Sequence, residues 1–177
     1  MAVAARHAAR KAAGRAGAKA APKRAAKPAA GPETRVFHVL LLSAKPVSRD
    51  FELKSDDSLY TLADVIIWSV DFDLDHAFGF FPCAGPGMYG ATPRYELFAD
   101  MGQATEPGVQ GVKDVKISAV FAKPGDSMTL LFDYGDEWLF DVKLIAIGQA
   151  KPRARYPRML GGLGKPPPQY PQCPDDV

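Results

Sequence analysis

Residues 130–144 read Leu-Leu-Phe-Asp-Tyr-Gly-Asp-Glu-Trp-Leu-Phe-Asp-Val-Lys-Leu, and this stretch decides the predicted fold class. Two apolar, aromatic-rich runs flank a short turn at residues 135–136, a pattern typical of a β-hairpin. Because side chains alternate across a strand, we expect one face of the second arm to join a core and the other to be wetter. The predicted core face consists of Trp138, Phe140, Val142 and Leu144.

A first hairpin and one helix are predicted before this stretch. Residues 37–42 form an apolar run, residues 47–54 alternate between apolar and polar side chains, and a turn at residues 44–46 joins them. An amphipathic helix is expected to start with Thr61 as its N-cap and Asp64 closing a capping box. These patterns predict a single small α+β domain, mainly an antiparallel sheet with a helix packed on one face.

The remaining segments are less regular. Short strands are predicted at residues 77–82 and 95–98, whereas residues 115–121 fit either a strand or a short helix. After the central hairpin, the Gly-Gly-Leu-Gly stretch at residues 161–164 predicts a flexible link. The proline-rich residues 166–171 predict an extended arm, because proline can neither donate to a ladder nor continue a helix.

Charge is divided unevenly along the chain. Residues 1–32 contain eight Lys/Arg and no Asp/Glu, so the rest carries −6 within an overall net charge of +2. Residues 1–34 are almost entirely Ala, Lys, Arg, Gly and Pro, which offer little apolar surface to bury. We therefore predict a disordered basic tail at residues 1–34, a folded domain at 35–171 and a short C-terminal tail at 172–177.

Three interpretations of the basic tail remain open. Spaced cations neutralise nucleic-acid phosphates without reading sequence, and the composition is similar to the Lys/Ala/Pro-rich tails of linker-histone-like proteins. An organelle transit peptide is also basic and acid-free, although the lack of Ser and the Lys-Pro steps count against it. A solvated leader without a partner is the third interpretation. The cations predicted to contact phosphates are Lys11, Arg15, Lys19, Lys23, Arg24 and Lys27.

Composition also bears on where the protein acts. Cys83 and Cys173 give neither a disulfide framework nor zinc-ligand spacing. The apolar runs are shorter than the ~20 residues that a membrane-spanning helix needs, and no apolar signal segment follows the basic start. We expect a cytoplasmic protein, nucleoid-associated if the tail binds DNA, with no membrane partner; import into an organelle is the less favoured location.

Asp71, Asp73, Asp75 and His76 form the first candidate site. The alternating carboxylates are similar to the start of a calcium loop, but His76 stands where glycine is needed and Pro82 where a bidentate glutamate is needed. Binding of another hard cation remains open. The plainer interpretation, which we favour, is an alternation that places the carboxylates in solvent and Phe72 inside.

His76 with the hairpin carboxylates Asp133, Asp136 and Glu137 forms the second candidate site. A His–carboxylate pair could act as a general base or orient a metal ion. The same pair could instead satisfy a buried imidazole and fix the hairpin turn, and we favour that structural role. A third candidate is a phosphate-contact patch of Lys151, Arg153, Arg155 and Arg158 beside Tyr156, for which a solvated surface is the alternative.

Four short motifs, in this order and spacing, are similar to those of a known family. They are Thr61-Leu62-Ala63-Asp64, Asp75-His76-Ala77-Phe78-Gly79-Phe80, Phe132-Asp133-Tyr134-Gly135-Asp136-Glu137-Trp138, and Tyr156-Pro157-Arg158 followed by Pro167-Pro168-Gln169-Tyr170-Pro171. Over residues 35–171 the chain resembles the plasmid pRiA4b ORF-3-like family, most specifically in the third motif. The resemblance implies a small α+β domain with an antiparallel sheet and a helix on one side. It also implies that His76 and Asp136, which both lie in matched motifs, face each other across the sheet.

The resemblance implies little about activity. No enzymatic activity is established for the family, and the association of some members with transposons, resolvases or DNA-binding domains implies a context rather than a mechanism. Many members carry three cysteines where this chain has Met159, Pro166 and Pro171, and a second histidine where it has Phe78. A metal or redox role therefore does not transfer, and we expect no metal site and no cofactor.

These observations lead to one preferred function and one alternative. The preferred function is a non-catalytic binding module whose tail gives sequence-independent affinity for DNA or RNA and whose domain binds an unknown protein or ligand. The alternative is an enzyme that uses His76 with Asp133 and Asp136 near Trp138, with or without a metal ion. Under the alternative, a pocket should join His76 to Asp136.

Overall fold

The computed structural model describes residues 31–103 and 106–170 of the chain. Seven strands in this part form one sheet, in which all neighbouring strands run antiparallel. The strands are β1 (Glu33–Leu41), β2 (Val47–Lys54), β3 (Phe78–Phe81), β4 (Tyr95–Glu96), β5 (Ser127–Phe132), β6 (Trp138–Gln149) and β7 (Arg158–Leu163). Their order across the sheet is β4-β3-β5-β6-β1-β2-β7.

Three helices complete the described part of the chain. They are α1 (Leu59–Ser69), α2 (Leu97–Asp100) and α3 (Ile117–Val120), and a 3-10 turn spans Met88–Gly90. Helix α1 buries an apolar face that includes Leu62 and Ile66 against the sheet, whereas Trp68 is 72% exposed. The predicted α+β class, with a helix packed on a mainly antiparallel sheet, is confirmed. No helix among the described residues has the length and apolar character needed to cross a bilayer.

The predicted central hairpin forms the middle of the sheet. Strands β5 and β6 pair with Phe132 opposite Trp138 and Leu130 opposite Phe140. Phe140 is fully buried in the main core, whereas Lys143 on the other face is exposed. The alternation along β6 therefore separates a core face from a wetter face, as predicted. Since β6 also pairs with β1, the hairpin connects both halves of the sheet.

The turn between β5 and β6 is held by the side chain of Asp133. Its Oδ1 atom accepts hydrogen bonds from the amides of Gly135 at 2.8 Å and Asp136 at 3.4 Å. The Asp133 carbonyl accepts a further hydrogen bond of 2.7 Å from the amide of Glu137. Aspartate suits this position because its short side chain can bond its own backbone and it tolerates the left-handed φ of 59° found here.

The predicted capping box of α1 is wrong. The N-cap is Ser58, whose Oγ accepts a 3.1 Å hydrogen bond from the amide of Thr61. Thr61 thus lies in the first turn, and Asp64 is exposed on the helix surface. Both Ser58 and Thr61 are residue types that cap helices, and the backbone hydrogen bonds of Leu59 to Val115 and Tyr60 to Val112 fix the earlier start.

The C-terminal glycine stretch is not a flexible link. Residues 161–163 lie in β7, which pairs with β2 at the edge of the sheet. A Cβ atom on Gly162 would lie 2.7 Å from the carbonyl oxygen of Ser48, so only glycine allows this close approach. Gly164 has a φ of 78°, which also suits glycine. Pairing with β2 rather than local strand propensity therefore determines β7.

Three other segments refine the predicted boundaries. Strand β1 begins at Glu33, two residues before the predicted start of the domain. The predicted strand at residues 95–98 is shorter, because α2 begins at Leu97. The ambiguous stretch at residues 115–121 contains the short helix α3. Residues 1–30 of the predicted N-terminal tail (1–34) and the whole predicted C-terminal tail (172–177) lie outside the described residues.

Candidate functional site

His76 lies in the loop between α1 and β3, beside the turn of the central hairpin. Its Nδ1 is 2.9 Å from Asp75 Oδ1, and its Nε2 is 3.7 Å from Asp133 Oδ2. The backbone supports this placement, because the amide of Asp133 donates to the carbonyl of Ala77 at 3.0 Å. The structure thus places His76 beside the hairpin, between the carboxylates of Asp75 and Asp133.

The proline-rich arm reaches the same loop through Tyr170. The Tyr170 hydroxyl donates a hydrogen bond to Asp75 Oδ2, and Gln169 Nε2 donates to Asp75 Oδ1 at 3.0 Å. The ring of Tyr170 lies 6.3 Å from the ring of His76. Asp75 therefore joins the histidine to the C-terminal arm, a link that the predicted pairing of His76 with the hairpin did not include.

Gln169 holds the arm to the backbone of this loop. Its Oε1 accepts a 2.7 Å hydrogen bond from the amide of Asp73, and its Nε2 donates to the Asp73 carbonyl at 3.1 Å. Gln169 is only 9% exposed, so these contacts are shielded from water. We call the group formed by Asp73, Asp75, His76, Gln169 and Tyr170 the C-terminal latch.

Hydrogen bonds set the protonation states within the C-terminal latch. Those from Tyr170 and His76 lower the pKa of Asp75 to about 2. The same carboxylate raises the pKa of Tyr170 to about 12. It also raises the pKa of His76 above its ordinary value, helped by the negative charge of Asp133. The group therefore favours a carboxylate, a phenol and an imidazolium together, and an imidazolium is a poor general base.

Asp136, the residue predicted to face His76, is exposed and its carboxylate makes no hydrogen bond within the described ranges. Its charge adds only a minor increase to the pKa of His76. Asp133 is buried, but one of its oxygens is already used by the turn. None of the five main clefts in the described part of the chain is lined by His76 or Asp136. The pocket expected for the enzyme alternative is therefore not found among these clefts.

The three alternating carboxylates point to solvent rather than to one another. Asp71, Asp73 and Asp75 are exposed, whereas Phe72 between them is 4% exposed and packs edge-on against Trp138 at 4.9 Å. Across residues 31–103 and 106–170, no three His, Cys, Asp or Glu side chains are placed to hold a metal ion. The favoured interpretation of this stretch agrees with the structure, except that Asp75 joins the C-terminal latch.

Basic residues collect where the chain enters the fold. Gly31 lines a shallow cleft of about 370 Å³ together with Lys54, Lys151 and Arg153. We call these three cations the basic corner. Arg158, which the predicted patch grouped with Lys151 and Arg153, pairs instead with the buried carboxylate of Glu52 at 2.6 Å.

The tyrosine of the predicted basic patch packs beside this corner. Tyr156 accepts a 3.0 Å hydrogen bond from the amide of Lys151, and its ring lies 5.7 Å below the guanidinium of Arg158. Arg155 is exposed. The predicted tail contacts Lys11, Arg15, Lys19, Lys23, Arg24 and Lys27 lie outside the described residues.

A second cluster was not anticipated from the sequence. Arg94, 4% exposed, lies beside β4 in a cleft of about 480 Å³ that Tyr89 and Tyr134 also line. Its guanidinium contacts Glu96 at 2.9 Å and Glu106 at 2.8 Å. Tyr134 belongs to the most specific sequence motif, and this was the one sequence feature that pointed to the cleft.

Comparison with known proteins identifies the family of this chain. No curated protein matches the sequence. A crystal structure of a protein of unknown function from Methanosarcina mazei Go1 is similar in fold, with a TM-score of 0.58 at 15% identity over 75% of this chain and 70% of that chain. The family model described as plasmid pRiA4b ORF-3-like protein matches residues 34–170, which include the sheet, His76 and the C-terminal latch. The chain therefore belongs to the plasmid pRiA4b ORF-3-like protein family.

Proposed function

We propose that this protein is a non-catalytic module that binds nucleic acid through its basic N-terminal segment, anchored at the basic corner of the sheet. The supporting observation is the point at which the chain enters the fold. Gly31 lines the same cleft as Lys54, Lys151 and Arg153. The segment before it in the sequence, residues 1–30, contains eight Lys/Arg and no Asp/Glu. Such an arrangement concentrates positive charge where a phosphate backbone would bind.

Two acidic residues near this corner are paired with arginines. Glu33, the first residue of β1, pairs with Arg35 at 2.6 Å, and this contact lowers the pKa of Glu33. Glu52 pairs with Arg158. Lys151 and Arg153 are themselves exposed to solvent. Because such contacts involve phosphates and not base edges, we expect binding without sequence preference.

Catalysis by His76 has less support. Its two neighbouring carboxylates favour the imidazolium, and no Ser, Thr or Cys side chain in the described ranges hydrogen-bonds to it. The contacts of His76 serve instead to hold the loop before β3 against the hairpin and the C-terminal arm. The domain then acts as a rigid support for the basic segment.

The test measures binding of a fluorescent DNA duplex to four full-length proteins. These are the wild type, a tail variant with Gln at Lys11, Arg15, Lys19, Lys23, Arg24 and Lys27, a corner variant with Lys151→Gln and Arg153→Gln, and a control with Lys45→Gln and Lys165→Gln. The control removes the same charge as the corner variant from exposed positions near the other end of β1. We expect the tail variant to lose most affinity, the corner variant to lose part of it, and the control to resemble the wild type.

Two outcomes would overturn the proposal. One is a wild type that does not bind duplexes at low salt. The other is a tail variant that binds as tightly as the wild type. Two duplexes of unrelated sequence should give equal affinities, because phosphate contacts do not read bases.

A further inference from the structure

The cleft beside Arg94 is a cavity that neither the C-terminal latch nor the basic corner uses. It lies between β4, the loop that follows α2 and the turn of the central hairpin, and its volume is about 480 Å³. Tyr89 and Tyr134 form one wall, with ring centroids 6.3 Å apart and planes inclined by 28°. Phe98 packs against Tyr134 at 5.2 Å. The cleft therefore presents a largely aromatic surface.

The hydroxyls of the two tyrosines at this cleft already donate hydrogen bonds within the protein. The Tyr134 hydroxyl donates to Glu96 Oε2 at 2.9 Å, and the Tyr89 hydroxyl donates to Glu137 Oε1 at 3.0 Å. Burial, followed by neighbouring negative charge, raises the pKa of both tyrosines, so each remains a phenol that keeps donating. Arg94 is held between Glu96 and Glu106.

Acceptors, in contrast, are in surplus. Glu96 and Glu106 both pair with the one guanidinium, and Glu137 accepts a hydrogen bond from Tyr89, so carboxylates outnumber cations at the cleft. The Arg94 Nε–H group is buried, and Glu96 Oε1 lies 2.9 Å from Nε. The N–H bond does not point at that oxygen or at any other acceptor in the described ranges. That carboxylate oxygen has two lone pairs, so it can accept a further hydrogen bond. Glu106 is 58% exposed, so its second oxygen is open to a ligand.

We propose that this cleft binds an organic cation with N–H donors, a guanidinium or primary ammonium group on an aliphatic stem. The carboxylates of Glu106 and Glu96 would accept its hydrogen bonds, and the exposed face of Tyr89 would contact the cationic head. Cations bind aromatic faces through the ring quadrupole, and paired carboxylates suit the fork of a guanidinium. This proposal does not depend on nucleic-acid binding by the basic segment.

The first test compares two ligands of nearly equal shape by calorimetry with the full-length wild type. Butylguanidinium carries the charge, and butylurea is its neutral isostere. We expect saturable binding of butylguanidinium and at least tenfold weaker binding of butylurea. Equal affinities for the two ligands, or no saturable binding of butylguanidinium at millimolar concentration, would overturn the proposal.

Variants then locate the binding site. Glu106→Gln removes an exposed charge, and Tyr89→Ala removes a ring that is 44% exposed, so both proteins should fold. Each should weaken butylguanidinium binding by roughly threefold or more, as expected for loss of one exposed cation–π or charged contact. Asp56→Asn, which neutralises an exposed carboxylate outside the cleft, is the matched control and should leave affinity unchanged. Equal affinities in all three variants would overturn the assignment to this cleft.

A further comparison distinguishes two sources of the same cation. Acetyl-Gly-Arg-Gly-amide presents the guanidinium as a protein side chain, whereas butylguanidinium presents it as a free small molecule. Tighter binding of the peptide supports the proposal with a protein segment as the source. Tighter binding of butylguanidinium supports it with a free amine or guanidine as the source.

Discussion

Tyr170 donates a hydrogen bond to the carboxylate of Asp75, a residue 95 positions earlier in the chain. This contact and those of Gln169 with Asp73 fasten the proline-rich arm across the loop that carries His76. The histidine motif and the C-terminal motif of the family thus meet in one group of side chains. Their shared role in this chain is to hold the arm, the loop and the hairpin turn together.

Gln169→Ala should destabilise the protein. The substitution leaves the Asp73 amide without the 2.7 Å acceptor that Gln169 supplies in a largely shielded position. Loss of a partner in such a position costs about 1–3 kcal/mol. Urea unfolding would measure the change, and amide exchange at Asp73 should accelerate. Gln149→Ala, at an exposed strand position, is the control; a Gln169→Ala protein as stable as this control would contradict the role of the C-terminal latch.

The C-terminal latch should be most stable in a window of mildly acidic pH. The pKa of Asp75 is lowered from 3.8 to about 2, so its contribution is present above pH 3.8 and is lost as pH falls toward 2. The pKa of His76 is raised, so its contribution is present below 6.5 and is lost as pH rises through the folded-state value. Asp75→Asn should remove the change on the acid side and most of the change near neutral pH, because Asp75 is the main cause of the raised pKa of His76. His76→Gln should remove the change near neutral pH and leave the acid-side change that Tyr170 causes. Unfolding free energies measured across pH would show both patterns. Parallel pH profiles for wild type and variants would refute this.

Gly162→Ala should weaken the attachment of β7. A Cβ atom would lie 2.7 Å from the Ser48 carbonyl oxygen and 2.8 Å from Arg49 Cδ, so the strands would have to move apart. Overpacking of this kind costs about 1–3 kcal/mol. Gly161→Ala is a matched control in the same strand, because its nearest neighbour would be 3.8 Å away. Thermal unfolding should distinguish the two variants, and equal melting temperatures would count against the described pairing.

Ser58→Ala should destabilise α1 by roughly 0.5–2 kcal/mol, because the amide of Thr61 loses its capping oxygen. Asp64→Asn should change stability little, since Asp64 is exposed and makes no capping contact within the described residues. Chemical unfolding of both variants would check this. A larger effect at Asp64 than at Ser58 would contradict this and support the capping box of Thr61 and Asp64 that was predicted from the sequence.

The sequence predicted those elements whose pattern is local. The alternation from Trp138 to Leu144 and the Asp133 turn follow from side-chain periodicity and turn chemistry, and both occur as expected. The start of α1 was misplaced because Ser58 and Thr61 are both good caps, and long-range pairing with residues 112–115 chose between them. Strand β7 was missed because glycine disfavours strands unless a neighbour requires it.

The candidate sites were less predictable because they depend on tertiary placement. His76 and Asp133 come from separate motifs, and only the family resemblance placed them together. The contribution of Asp75 depends on the loop backbone and on Tyr170, which no local pattern connects. The Arg94 cleft gathers residues from three separate segments, and a buried arginine cannot be told from an exposed one by sequence alone.

The most direct test of the central claim is the salt dependence of duplex-DNA binding by the full-length protein. Each phosphate contact contributes about −0.9 to the slope of log affinity against log salt concentration, so contacts by six tail cations would give about −5. We predict a slope of this size for the wild type and a much shallower one for the tail variant. A wild-type slope near zero, or no binding at low salt, would contradict a nucleic-acid role for the basic segment.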